Sequence, residues 1–120
     1  MTSTDADRVV HILDAIARIE RWTSEHQHDD MYRSAVLRQM EIIGEAATHL
    51  SDTFKSTHQA IPWRGITGLR IQVAHRYWDI EWSIVEQTIL EDLPILRDAF
   101  TLPDESRDER QIGADIPTLE

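Results

Sequence analysis

The 120-residue sequence predicts an all-α fold, an antiparallel bundle of four to five helices. Three observations carry that expectation. Apolar residues recur at three- and four-residue intervals over long stretches, which places them on one face of an α-helix. No window shows the strict alternation of a half-buried strand, and no turn-rich spacing marks out hairpins. The chain also has no internal repeat that would suggest a solenoid.

The first helix should begin near Thr4 or Asp5, both good N-cap types, with Asp7 in its first turn. Val9, Ile12, Leu13, Ile16 and Ile19 give it an apolar stripe as far as about Trp22. The polar run Ser24–Asp30 reads as a connection. A second helix carries Val36, Met40, Ile43, Ala47 and Leu50, with Ile42 and Ala46 widening the stripe. Ser51 and Asp52 mark a break, and residues 53–59 suit a short helical turn. Pro62 sits where proline is best tolerated, in the first turn of a helix running to Arg76. Asp79 is a candidate N-cap for the next helix, which bears Ile80, Ile84, Val85, Ile89 and Leu93. Pro94 should kink that helix or start a fresh one with Ile95, Leu96 and Phe100.

Size and composition allow one domain with one core. The helical domain is expected over residues 1–100. Residues 101–120 hold six acids and few apolar side chains, a tail expected to stay flexible. No apolar run approaches a membrane span and the acidic N-terminus is unlike a signal peptide, so the expected location is cytoplasmic. Cysteine is absent, which excludes thiol chemistry and disulfides. The net charge of −10 argues against a nucleic-acid partner until its distribution is considered. Residues 31–78 carry Arg33, Arg38, Lys55, Arg64, Arg70 and Arg76 against Glu41, Glu45 and Asp52. That centre is either a basic segment within an acidic chain or merely average beside an acidic tail.

Most reactive side chains have a plain structural reading. His26, His28, Asp29 and Asp30 could approach a metal, but a solvated connecting loop suits them better. His11, His49 and His58 stand apart in sequence and read as surface or capping residues. Asp14, Glu41 and Glu45 lack the Glu-x-x-His pattern of carboxylate-bridged metal bundles. No P-loop, dinucleotide turn or nucleophile elbow is present. No cofactor is expected.

One segment stands out, Ile61–Tyr77, with Arg70, His75 and Tyr77 close together. On an ideal helix Ile66, Leu69 and Val73 share an apolar face. Arg70 and Tyr77 lie about 20° apart beside it, whereas His75 is about 140° from Arg70, near Gly68 and Ile71. Apolar residues on both sides, with Gly65 and Gly68 permitting close approach, suggest burial against the bundle and against a second chain. Convergence of Arg70 and His75 therefore needs a bend, the reach of the Arg side chain, or a partner protomer. Such a set suits RNA cleavage. A histidine with the ordinary pKa of about 6.5 can take the proton of a ribose 2′-hydroxyl, and a guanidinium can steady charge growing on phosphate oxygens. The RNA supplies the nucleophile, so no metal is required. The plain alternative pairs Arg70 with a nearby acid and leaves His75 as a helix cap.

The pattern R-I-Q-V-A-H-R-Y (70–77) resembles the R-x-x-x-x-H-x-Y signature of HEPN ribonucleases, specifically the HepT-like toxin branch. The segments R-Q-M-E-I-I-G-E-A-A (38–47), I-P-W (61–63) and D-L-P-I-L (92–96) match the same branch, so the resemblance covers roughly residues 5–100. It implies a dimeric or higher homo-oligomeric bundle with both motif copies lining an interface cleft. It implies metal-independent RNA cleavage with Arg70 and His75 as the catalytic pair, and Arg33, Arg38, Arg64 and Arg76 are the expected RNA contacts. It also implies a cognate minimal nucleotidyltransferase antitoxin that transfers AMP to Tyr77. Bulk and charge there would block an RNA backbone. In one respect the chain departs from the branch. A polar residue, often Asn, usually follows the motif Arg, and here Ile71 stands in its place. That departure favours the other reading, a non-catalytic HEPN dimer that binds RNA or nucleotide or serves as a scaffold.

Overall fold

The first helix buries one stripe and exposes the other, as its periodicity requires. The computed structural model describes the backbone of residues 3–76 and 81–101 and the side chains of residues 4–73 and 81–101. Helix α1 spans Ser3–Glu25, a little beyond the expected apolar repeat at each end. Val9, Ile12, Ala15, Ile16 and Ile19 are buried along it. Asp5 is not its N-cap. It sits within the first turn, almost fully buried, where Oδ1 accepts from the Ser51 amide at 2.9 Å and Oδ2 from the Ser51 hydroxyl at 2.7 Å. A carboxylate taken out of water needs such donors, and here they tie the start of α1 to the chain 46 residues on.

Helix α2 spans Asp30–Thr48 and is capped by Asp29, whose carboxylate accepts from the Tyr32 amide. His28 places a ring nitrogen 2.9 Å from the Thr23 carbonyl and stacks on Tyr32, so the His-Asp run serves the α1–α2 connection. Val36, Met40, Ile43 and Ala47 pack inward from α2. The backbone turns at His49 into α3, Asp52–Ser56. Ser51 caps α3, accepting from the Phe54 amide while its hydroxyl donates to Asp5.

Helix α4 spans Trp63–Arg76, starting directly after Pro62 rather than on it. Ile61 is buried, and the Trp63 indole N–H donates to the carbonyls of Lys55 and His58. Phe54, His58, Trp63 and Phe100 close around one another, with ring centroids 4.4–6.4 Å apart. The I-P-W segment thus bolts the start of α4 to α3 and to the end of the last helix. Ile66, Leu69 and Val73 are buried as the helical geometry predicts.

The proposed Asp79 cap falls outside the described residues. The chain is described again from Glu81, which occupies the N-cap position of α5, Trp82–Gln87, without a side-chain capping bond. A π-helical turn, Thr88–Asp92, leads into α6, Leu93–Thr101. Pro94 explains the widened turn. It has no N–H to offer and its ring crowds the carbonyl four residues back, so the chain relaxes to a wider spacing just before it. The Leu93 amide bonds to the Thr88 carbonyl, five residues back. Helical hydrogen bonding continues through this turn into α6. The Arg97 guanidinium pairs with Glu20, joining α6 to α1.

The described residues form an all-α bundle with no strand, in which α2 packs between α1 and α4. None of their helices is long and apolar enough to cross a membrane. Residues 102–120, most of the expected acidic tail, lie outside the described residues.

Candidate active site

Gly44 decides where Arg70 sits. A Cβ built on Gly44 would lie 2.6 Å from the Arg70 backbone nitrogen and 3.2 Å from the Ile66 carbonyl oxygen. Helices α2 and α4 therefore cross almost backbone to backbone, and only glycine leaves room. By contrast, among the described residues no neighbouring element comes within 4 Å of a Cβ on Gly65 or Gly68. The close approach expected of those two glycines is made within this chain by Gly44 instead.

The next residue along α2, Glu45, faces the Arg70 side chain. Arg70 Nη1 donates to Glu45 Oε2 at 3.3 Å, and His49 Nε2 lies 2.9 Å from the other carboxylate oxygen. The His49 hydrogen bond is the main influence holding the Glu45 carboxyl below its usual range; burial opposes it, and the positive charge of Arg70 adds to the lowering. Both side chains of the Arg70–Glu45 pair are about half exposed. A pair so wetted adds little to stability and can be exchanged for another anion. Arg70 Nε, in contrast, is buried with no hydrogen-bond partner among the described residues.

Arg70 lines an open depression of about 490 Å³ between α1, α2 and α4. Helix α1 contributes Arg8 and His11, α2 contributes Arg38, Glu41 and Glu45 above an apolar floor of Ile42 and Ala46, and α4 adds Ile71 beside Arg70. Arg38 donates to Glu41 at 2.6 Å. Arg8 forms no ion pair among the described residues, and its Nε is buried and unpaired. Ile71 is about half exposed at the rim.

Of the expected RNA contacts, Arg38 shares this depression with Arg70. Arg33 does not line it. Its guanidinium lies 5.1 Å from the centre of the Trp82 ring, a cation–π contact. Arg64 is exposed near the start of α4, outside the depression. The backbone of α4 runs through His75 and Arg76, but their side chains, and Tyr77 entirely, lie outside the described residues. Arg8 and His11 were missed as site residues because α1 read as scaffold and His11 as isolated. A signal was available. Arg8 and His11 are three apart on α1, and Arg38, Glu41 and Glu45 repeat at three and four on α2, so each helix carries a polar stripe beside its apolar one.

The family described as ribonuclease HepT-like matches residues 12–101, three quarters of the chain and the whole of this site except Arg8 and His11. A protein from Thermococcus cleftensis named "Probable ribonuclease HepT" is 33% identical over 83% of this chain and 96% of its own length. A protein from Caldanaerobacter subterraneus subsp. tengcongensis, named as a candidate RNase, is 37% identical over 57% of this chain and 61% of its own. No solved structure matches the chain. With most of its length matched and a relative alike nearly end to end, this chain belongs to the HepT-like ribonuclease family.

Proposed function

We propose that this protein is a metal-independent endoribonuclease, the toxin of a toxin–antitoxin pair, working in the cytoplasm as a dimer or higher homo-oligomer. The observation that carries the reading is Arg70, which belongs to the family motif, lines an open depression, and among the described residues has a half-exposed carboxylate as its ion-pair partner. An RNA phosphate can take the place of Glu45 on the guanidinium with two parallel hydrogen bonds. His75 accepts the proton of the ribose 2′-hydroxyl, and that oxygen attacks phosphorus. The bond to the 5′-oxygen breaks, leaving a 2′,3′-cyclic phosphate on one fragment and, once the departing oxygen is protonated, a 5′-hydroxyl on the other. Arg70 stabilises the charge that builds on the phosphate oxygens during the attack. A second protomer completes the cleft, because positions 70 and 75 of an ideal straight helix lie about 140° apart. A cognate nucleotidyltransferase antitoxin neutralises the protein by transferring AMP to Tyr77.

The test is cleavage of RNA in excess chelator by the wild type beside Arg70→Ala and His75→Ala. The reading expects cutting by the wild type and its loss in both variants. Equal cutting by all three, or by none, contradicts it. For the antitoxin, intact mass is measured after incubation with the nucleotidyltransferase and ATP. A gain of one adenylate that disappears in Tyr77→Phe is expected, and a gain that persists in the variant counts against Tyr77. Half-exposed Ile71 favours the second reading, a non-catalytic RNA- or nucleotide-binding dimer, since the rim of the site lacks the hydrogen-bonding group usual after the motif arginine. That reading expects tight RNA binding without cutting.

A further inference from the structure

The depression beside Arg70 contains more cation than its ion pairs use. Three arginines and two glutamates line it, a net charge of +1 before His11 is counted. Two of the arginines are answered: Arg38 by Glu41 at 2.6 Å and Arg70 by Glu45 at 3.3 Å. Arg8 is not. Its stem is partly buried against the bundle and its Nε is enclosed without a partner, yet the side chain lines the open depression. A guanidinium anchored in this way has little freedom left to lose when it binds a planar anion. His11 lines the same wall and offers a ring nitrogen as a further donor.

From this geometry we propose that Arg8 and His11 form a second phosphate subsite, which holds an RNA backbone phosphate next to the one engaged by Arg70. The inference rests on the ribonuclease reading and extends it from the motif helix to α1. The ligand class is a phosphodiester strand rather than a single anion, because the open depression joins Arg8 to Arg70 in one continuous surface. The subsite fixes the strand's register, and so which phosphate is presented to Arg70. It is a binding and positioning site, with no bond made or broken there.

The test measures binding of a 2′-O-methyl RNA, which lacks the attacking hydroxyl, to the full chain across a salt series, alongside cleavage of the unmodified RNA. Arg8→Gln is compared with Arg18→Gln, an equal loss of charge on the exposed side of α1 outside the depression. Arg8→Gln should weaken binding about ten-fold and reduce the slope of log affinity against log salt by about 0.7, the value for one phosphate contact to a single strand. Arg18→Gln should leave both close to wild type. If the wild type cuts RNA and Arg8→Gln binds with unchanged affinity and slope, the subsite is overturned while the ribonuclease reading stands. If the wild type neither binds nor cuts, both fall together. Should Arg8→Gln fail to fold, exposed His11→Glu reads the same subsite, with about ten-fold weaker binding expected and equal affinity contradicting it.

Discussion

The start and the middle of α4 are built on opposite principles. At its start, Trp63 meets Phe54, His58 and Phe100 in a closed aromatic seam, and the indole N–H has two carbonyl partners. Further along, Arg70 projects into an open depression where its Nε has no partner and its one ion pair is half exposed. The first arrangement pairs the indole N–H it buries and supplies stability. The second leaves hydrogen-bonding capacity unspent, which a stable core would not tolerate but a binding site needs. Gly44 lies against Ile66 and Arg70, bringing α2 close enough to α4 to fix where the arginine emerges.

Breaking the seam should have the largest effect on stability. Phe54→Ala removes the ring that touches His58, Trp63 and Phe100, and should cost about 3–5 kcal/mol in denaturant unfolding. If the loss is well under 1 kcal/mol, the seam is not what anchors α4. Gly44→Ala comes next. Its added methyl meets backbone, which cannot swing aside as a flexible side chain could, so a loss of about 1–3 kcal/mol is expected despite alanine's better helix propensity. Because the same methyl pushes on the Arg70 backbone, RNA cleavage should fall further than stability alone accounts for. Parallel losses would show that the crossing supports the fold and does not aim the arginine.

Glu45→Gln should have the smallest effect on stability, and one that depends on pH. The folded protein holds this carboxyl below its usual range, chiefly through the His49 hydrogen bond. The folded state therefore binds protons less readily than the unfolded state. The contribution is present above the ordinary carboxylate range and is lost as pH falls through the depressed folded value. Thermal melts from about pH 6 to about pH 3 should show the small advantage of the wild type over Glu45→Gln shrinking. A gap that widens on acidification would reverse the sign and rule out this account. At neutral pH the variant also frees Arg70, so RNA affinity should stay level or rise.

Much of the bundle was legible because packing repeats. The apolar stripes of α1, α2 and α4 are buried where their three-four rhythm puts them. What escaped depends on contacts between residues far apart in sequence. Asp5 looked like a cap because its type suits one, but it is buried against Ser51, a partner no local pattern reveals. Gly44 was visible only as part of a familiar segment, since the need for a missing side chain arises from the backbone of another helix. Pro94 was expected to kink or restart a helix; a widened π turn precedes it and α6 follows, a detail that no apolar rhythm specifies. In the site, the motif drew attention to α4 and picked out Arg70. The cations that join it there come from α1 and α2, and only the packing of three helices brings them to one surface.

The claim that Arg70 serves RNA rather than the fold is tested most directly by Arg70→Ala, with RNA cleavage and thermal unfolding measured on the same preparation. The account predicts that cleavage falls about 10²–10³-fold, as when a charge-stabilising donor is removed from an active site, while the unfolding midpoint stays within experimental scatter. Retained cleavage, or a loss of cleavage that only follows a loss of folded protein, would contradict it.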